Sequence, residues 1–283
     1  LDYNRLRKRT LAGAKPALNF GTSGHKALEH RYKACLNQAV SPQVEDEQIR
    51  ILETFFATNP PPEDEYRNLN WAIELFVKKY NKHYSSEPFS VLLDENQKPL
   101  VELPFTVPLA TIGDVSVIYM GRIDLPVLWD DQVFILDHKT TSMLGQGFWD
   151  DLRVSPQQIG YAWAFWKLTG RCPAGFCVNA IRTKQAPVKP KNGIDAWWSE
   201  CYERSKEFLS IDQYNEWEEN LIKLVEEYLF HENKSYFPMK KKWCCGKYGR
   251  CQYYEVCTTN RESRDMMLQS SMYVDNDWSP LNP

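Results

Sequence analysis

The stretch GRIDLPVLWDDQVFILDHK, from Gly121 to Lys139, decides how this chain is read. Two runs of strand-forming residues, Val115 to Trp129 and Gln132 to Thr140, flank Asp130 and Asp131, a pair suited to a two-residue hairpin turn. With that pair as the loop, residues whose numbers sum to 261 lie opposite each other, so Asp124 faces Asp137. Strand residues two apart share a face, which puts Asp137 and Lys139 on the side of Asp124. Asp, Lys and Thr are ordinary on a solvated strand face. Here, however, Phe134, Ile135 and Leu136 run straight into Asp137, so the charges end an apolar, buried strand. Neighbouring carboxylates repel unless a cation neutralises them, and hard divalent ions such as magnesium or manganese take oxygen ligands. Lys139 beside such an ion can orient or deprotonate a water, or offset charge growing on a phosphate.

These residues resemble the PD-(D/E)XK nuclease superfamily in its RecB-like branch, of the CRISPR-adaptation and phage-exonuclease types. In that pattern an aspartate on one strand is followed, on the next, by an acid, one residue and a lysine. Asp124, Asp137 and Lys139 match it. Three further features stand in family order between Gly21 and Cys257: an upstream histidine, a downstream Gln-x3-Tyr motif and a C-terminal group of cysteines. The resemblance implies an α/β restriction-endonuclease-like core, with a mixed central sheet flanked by helices, helical elaborations and a cysteine cluster.

His25 lies in GTSGHKALE, Gly21 to Glu29. Thr22 and Ser23 suit the cap of a helix expected over residues 23–38, on which His25 and Glu29 share a face. A lone histidine there is more often structural; the resemblance makes His25 a metal ligand beside Asp124 and Asp137, with Glu29 orienting or packing. Imidazole is compatible with manganese as well as softer metals. Manganese is therefore expected to support activity at least as well as magnesium, and calcium to occupy the site and inhibit. Gln157 and Tyr161 belong to a helix opened by Ser155 and Pro156, and their spacing gives them one face. The family implies that both sit near the scissile phosphate or the DNA backbone, with Gln157 also touching the metal site. Trp163, Phe165 and Trp166 read as core.

Eight cysteines occur, and only Cys244, Cys245, Cys251 and Cys257 are clustered. Short intervals around glycines suit a chelating loop, and both zinc and an iron-sulfur cluster fit thiolates. A disulfide framework suits a chain of this length less well, and reduced cytosol is the expected setting. The resemblance favours a 4Fe-4S cluster, with zinc as the alternative, clasping the C-terminal segment onto the core. In the family a further cysteine precedes the histidine motif, whereas here none precedes His25 and the chain starts at Leu1. Its place then falls to Cys35, to the Cys244 and Cys245 pair, or to a segment lost from the chain, or no cluster forms. Cys172, Cys177 and Cys201 read as small buried side chains.

Composition, at 43% hydrophobic and 25% charged residues, excludes disorder, and no apolar run has membrane-spanning length. One nuclease domain is expected over residues 1–283: a helical part to 86, a catalytic core over 87–184 and a helical, cysteine-rich part over 185–283. The net charge of −3 does not advertise DNA binding, but local clusters count for more. Arg5, Arg7, Lys8 and Arg9 form one; Lys184, Lys189 and Lys191 a second; Lys240, Lys241, Lys242, Lys247 and Arg250 a third. The third is interleaved with Trp243, Tyr248, Tyr253 and Tyr254, which suits either a single-strand path or packing around the cysteines.

Helices are expected near 23–38, 44–57, 63–84, 155–168 and 212–232, and strands near 89–94, 100–108, 115–129, 132–140 and 174–182. Glu102 either joins the metal site or, more simply, lines a strand surface. The implied function is a divalent-metal-dependent DNA nuclease, exonucleolytic or flap-type, acting on DNA ends in recombination, repair or CRISPR adaptation. The alternatives are a non-catalytic DNA-binding scaffold of a helicase-nuclease complex and an RNA-cleaving relative. No helicase P-loop occurs, so unwinding would need a partner.

Overall fold

The computed structural model describes residues 9–11, 16–35, 39–234, 245–246 and 249–275, with backbone alone at 9–11, 245–246 and 249–250. It divides into two compact units, residues 15–218 and residues 1–14 with 219–283. In the smaller, β1 (Arg9–Leu11) pairs with a strand at the other end of the chain, Tyr273–Asp275.

The larger unit opens with helices α1 (Pro16–Ala34) and α2 (Pro42–Thr58). A third helix, α3, is α-helical over Leu69–Ala72, widens to a π-helix over Ile73–Lys79 and closes as α-helix over Tyr80–His83. The widened turn buries Leu75, Phe76 and Val77 in succession, which a regular amphipathic helix does not do. Then come β2 (Ser90–Val91), β3 (Leu103–Ile112), β4 (Val115–Ile123), β5 (Leu125–Trp129) and β6 (Gln132–Thr141). Helices α4 (Gln146–Arg153) and α5 (Pro156–Thr169), strand β7 (Gly175–Arg182), helix α6 (Ile194–Ser199), strand β8 (Tyr202–Phe208) and helix α7 (Ile211–Asn233) follow.

The central sheet has the order β2-β5-β6-β7-β8, with β6 and β7 parallel and the other pairs antiparallel. This is the mixed sheet flanked by helices that the sequence implies. Asp130 and Asp131 form the turn with φ of 51° and 59°, and Trp129 pairs with Gln132 and Leu125 with Leu136. Carried one step on, this register sets Asp124 against Asp137. One face of β6 and β7, with Phe134, Leu136, Cys177 and Ile181, packs on Phe20, Leu28, Tyr32, Phe76 and Tyr80 of α1 and α3. From the other face α5 reaches Asp137 through Gln158.

Several boundaries differ from expectation for identifiable reasons. Helix α1 starts at Pro16, so Thr22 and Ser23 lie inside it and do not cap it; their hydroxyls donate back to the carbonyls of Leu18 and Phe20. Gly21 and Gly24 lie inside the helix and allow close approach: a Cβ would meet Thr140 Oγ1 at 2.9 Å and the Phe76 ring at 2.6 Å. Helix α3 begins after Asn68, whose side chain caps Trp71 N, and not at 63. The strand expected over 115–129 breaks at Asp124: β4 departs to pair with β3 in a separate two-stranded sheet, while β5 stays in the central one. The strand placed at 100–108 runs instead over Leu103–Ile112, and only Ser90–Val91 of 89–94 is strand. Helices α4 and α6 and strand β8 were not foreseen. No described helix is long and apolar enough to cross a membrane.

Candidate metal centre

Asp124 occupies the break where one strand leaves the sheet and the next begins. The His138 backbone N–H, on β6, donates to its Oδ2 at 2.8 Å, and its own carbonyl accepts the Glu102 N–H at 2.8 Å. Asp124 and Glu102 are thus the two feet of the β3–β4 hairpin. The reading of Glu102 as a strand-surface residue is overturned: it lies just before β3 with φ of 52°, a left-handed backbone that costs a non-glycine residue roughly 1–2 kcal/mol. That backbone brings its carboxylate to 3.5 Å from His25 Nδ1. His25 Nδ1 is also 3.5 Å from Asp124 Oδ2. One ligand atom from each of His25, Glu102 and Asp124 lies within 4.8 Å of the others. A magnesium or manganese ion, with ligand bonds of about 2.1 Å and a preference for oxygen, fits such a donor set.

The electrostatics point the same way. Burial works to lower the His25 pKa, but the charges of Asp124, Glu102 and Asp137 outweigh it and raise it to about 9. Burial, reinforced by Asp137 and Glu102, pushes Asp124 up against the pull of His25. Without a metal ion His25 is therefore an imidazolium and Asp124 keeps its proton to a higher pH than an ordinary carboxyl, and a divalent ion would displace those protons.

A second half of the site is assembled from β6 and α5. Asp137 is 2% exposed, and Lys139 Nζ lies 2.7 Å from its Oδ2 and 3.0 Å from its Oδ1. Burial opposes the charge of Lys139, yet Asp137 more than offsets this and raises the lysine pKa, so the ammonium form prevails. Lys139 also donates to Gln157 Oε1 at 2.9 Å, and Gln157 Nε2 donates to Tyr161 OH at 2.8 Å. An ammonium only donates, so the Gln157 amide orientation is fixed and Tyr161 is left with its own hydroxyl hydrogen to give. Burial raises the Tyr161 pKa, which keeps the phenol protonated. Glu29, expected to orient or pack, pairs with Lys33 one turn on.

His138, between Asp137 and Lys139, points to the opposite face. Its ring stacks on Tyr32 at 5.6 Å, and its Nδ1 is 2.7 Å from Asn179 Nδ2. Asn179 Oδ1 accepts from Arg204, so Nδ2 must donate and His138 Nδ1 must accept. Burial and the cations His25, Arg204 and Arg31 hold that imidazole neutral. Behind it the buried guanidiniums of Arg31 and Arg204 share one carboxylate, Glu87. Sequence reasoning missed this network. It also missed Gln158, whose Nε2 donates to Asp137 Oδ2 at 3.1 Å. Its signal was available: Gln158, Ala162 and Phe165 are buried at helical spacing, which makes Gln158 the polar residue on an apolar stripe.

Cys244 and the side chain of Cys245 lie outside the described residues. The backbone at Cys245–Gly246 pairs antiparallel with Gly249–Arg250; Cys251 follows, and Cys257 sits in the short helix Tyr254–Thr258. Cys177 and Cys201 are buried, and burial pushes each thiol up to about 12. Cys172, expected to be buried with them, is exposed in the turn after α5. Lys184, Lys189 and Lys191 are exposed; the side chains of the other two basic clusters fall outside the described residues.

Residues 3–258 match the family model of the PD-(D/E)XK nuclease superfamily. No curated protein matches the chain.

Proposed function

Because the chain belongs to the PD-(D/E)XK nuclease superfamily, a family of metal-dependent nucleases, we propose that it is a RecB-like deoxyribonuclease that cuts DNA exonucleolytically or as a flap. The observation that carries this reading is the arrangement of Lys139: an ammonium anchored on Asp137 and Gln157, beside the His25, Glu102 and Asp124 cradle. His25 and Asp124, with Glu102, would hold a magnesium or manganese ion, and Asp137, opposite Asp124, completes the acid set of the family pattern. Such an ion supplies Lewis acidity, drawing charge from a phosphate oxygen and acidifying water.

The remaining work falls to the chain. Lys139 presents a fixed positive charge to the phosphate as negative charge builds on it. Gln157 holds that lysine and turns the Tyr161 hydroxyl outward as a donor to the nucleic-acid backbone. DNA ends in recombination, repair or CRISPR adaptation are the substrates the RecB-like branch suggests, with a helicase or recombination partner supplying unwound strands. Cys251, Cys257 and one or both of Cys244 and Cys245 are proposed to hold a 4Fe-4S cluster, zinc being the alternative; a brown protein purified without oxygen supports iron, and colourless protein with stoichiometric zinc excludes it.

The test of the enzyme is cleavage of end-labelled single-stranded, duplex and circular DNA, and of RNA of the same sequence, with manganese. Cleavage by the native chain and its loss in Lys139→Ala, with manganese binding retained, is expected. DNA binding without cleavage by either protein would make it a scaffold.

A further inference from the structure

We infer that Gln158 is a positioning residue for Asp137, distinct from Gln157 of the family motif; this rests on the proposed reading of the site. Gln158 is 1% exposed, on the buried stripe of α5 that also carries Ala162 and Phe165. Its neighbour Asp137 is a carboxylate that only accepts, so Nε2 must face Asp137 and Oε1 must face away. Among the described residues Oε1 is buried with no hydrogen-bond partner. An unsatisfied buried carbonyl destabilises a fold, and an apolar side chain of the same length would avoid that cost. Gln158 is therefore ill suited to its place as a packing residue. What it supplies is one directed bond to Asp137 Oδ2.

That bond matters because of what else holds Asp137. Both its oxygens are otherwise engaged by the ammonium of Lys139. When Lys139 turns to a phosphate it loosens its grip on Asp137, and the carboxylate would be free to rotate about χ2 in a buried pocket. Gln158 approaches from the helix, independently of Lys139, and keeps Oδ2 where it is. The carboxylate then presents the same oxygens before and after the lysine moves.

Gln158→Met retains length and removes both amide groups; Gln158→Leu serves as a second variant should Met repack. Three readouts separate positioning from packing: the Tm of metal-free protein, manganese affinity by spin-resonance titration, and kcat and KM on a labelled oligonucleotide. The expected result is a Tm equal to or above that of the native chain, manganese affinity weakened about tenfold, and kcat reduced about 10- to 100-fold with KM unchanged. Native affinity and kcat in both variants would overturn the inference. So would a fall in kcat that merely tracks a lower Tm, since that is the behaviour of a core residue. If the native chain binds manganese but cuts neither DNA nor RNA, the nuclease reading fails by itself, while the affinity and Tm arms still decide the role of Gln158.

Discussion

The two halves of the site solve the problem of buried charge in opposite ways. Around Asp124 the ligand atoms stand 3.5 Å from His25, too far for good hydrogen bonds, and the groups keep protons to limit repulsion. Around Asp137 the gap is closed by the chain itself, with Lys139 at 2.7 Å and Gln158 at 3.1 Å. The first half carries its positive charge on a proton of His25 that a metal ion would displace, whereas the second carries a permanent one in Lys139. The difference comes from where the residues originate: three separate elements converge on Asp124, whereas Asp137 and Lys139 are next-but-one neighbours on a single rigid strand.

The sharpest way to break this division is Lys139→Ala. It removes the built-in cation and should reduce single-turnover cleavage about a thousandfold while the manganese affinity, with Asp137 still held by Gln158, changes little. An equal loss of metal binding would show that the halves are not separate.

Titration tests the other half. The folded-state pKa values of His25 and Asp124 lie above their ordinary values. Their contribution to the stability of metal-free protein is therefore fully present in acid and is lost as pH rises, from about 4 upward for Asp124 and between 6.5 and about 9 for His25. The Tm of the apoprotein should accordingly fall across this range. Manganese affinity should rise with pH, by roughly tenfold per unit for each proton released, until His25 has titrated. Calorimetry in buffers of different ionisation enthalpy counts the protons.

Glu102→Gly combines a gain with a loss. Glycine accepts the φ of 52° without strain, so the apoprotein should melt higher, yet the missing carboxylate should weaken manganese binding about 10- to 100-fold. A Tm that drops would mean that the carboxylate stabilises the fold in the absence of an ion. The smallest effect belongs to Tyr161→Phe, which takes away one hydroxyl donor. KM for DNA should rise about fivefold, with kcat and metal affinity held.

Much of the β5–β6 strand pair could be read from residues alone, because a two-residue turn leaves no freedom of register and Phe134 to Leu136 announce a buried strand. The Ser155 and Pro156 start of α5 was equally plain. What escaped was set by tertiary context. Residues 115–129 read as one run of strand formers, and nothing in it singles out Asp124 as the place where β4 leaves for β3. Strand β8 carries Glu203, Arg204, Lys206 and Glu207 in its seven residues, and such an edge strand resembles a solvated loop. Glu102 escaped because its role depends on a left-handed backbone, and the early start of α1 because its glycines serve packing against Thr140 and Phe76. Gln158 stood in the shadow of the adjacent motif glutamine.

The β3–β4 hairpin leaves the site at Glu102 and returns at Asp124, and the bond from Glu102 N to Asp124 O staples its feet together. At the far end the chain turns through Gly113, with φ of 59° and open space around it. Changes in length at that tip are therefore insulated from the two carboxylates, provided that residues are added in pairs to keep the register. For an engineer this is an attachment port: a tag, a dye or a grafted recognition loop inserted between Gly113 and Asp114 extends the reach of the molecule while leaving its chemistry at the base untouched.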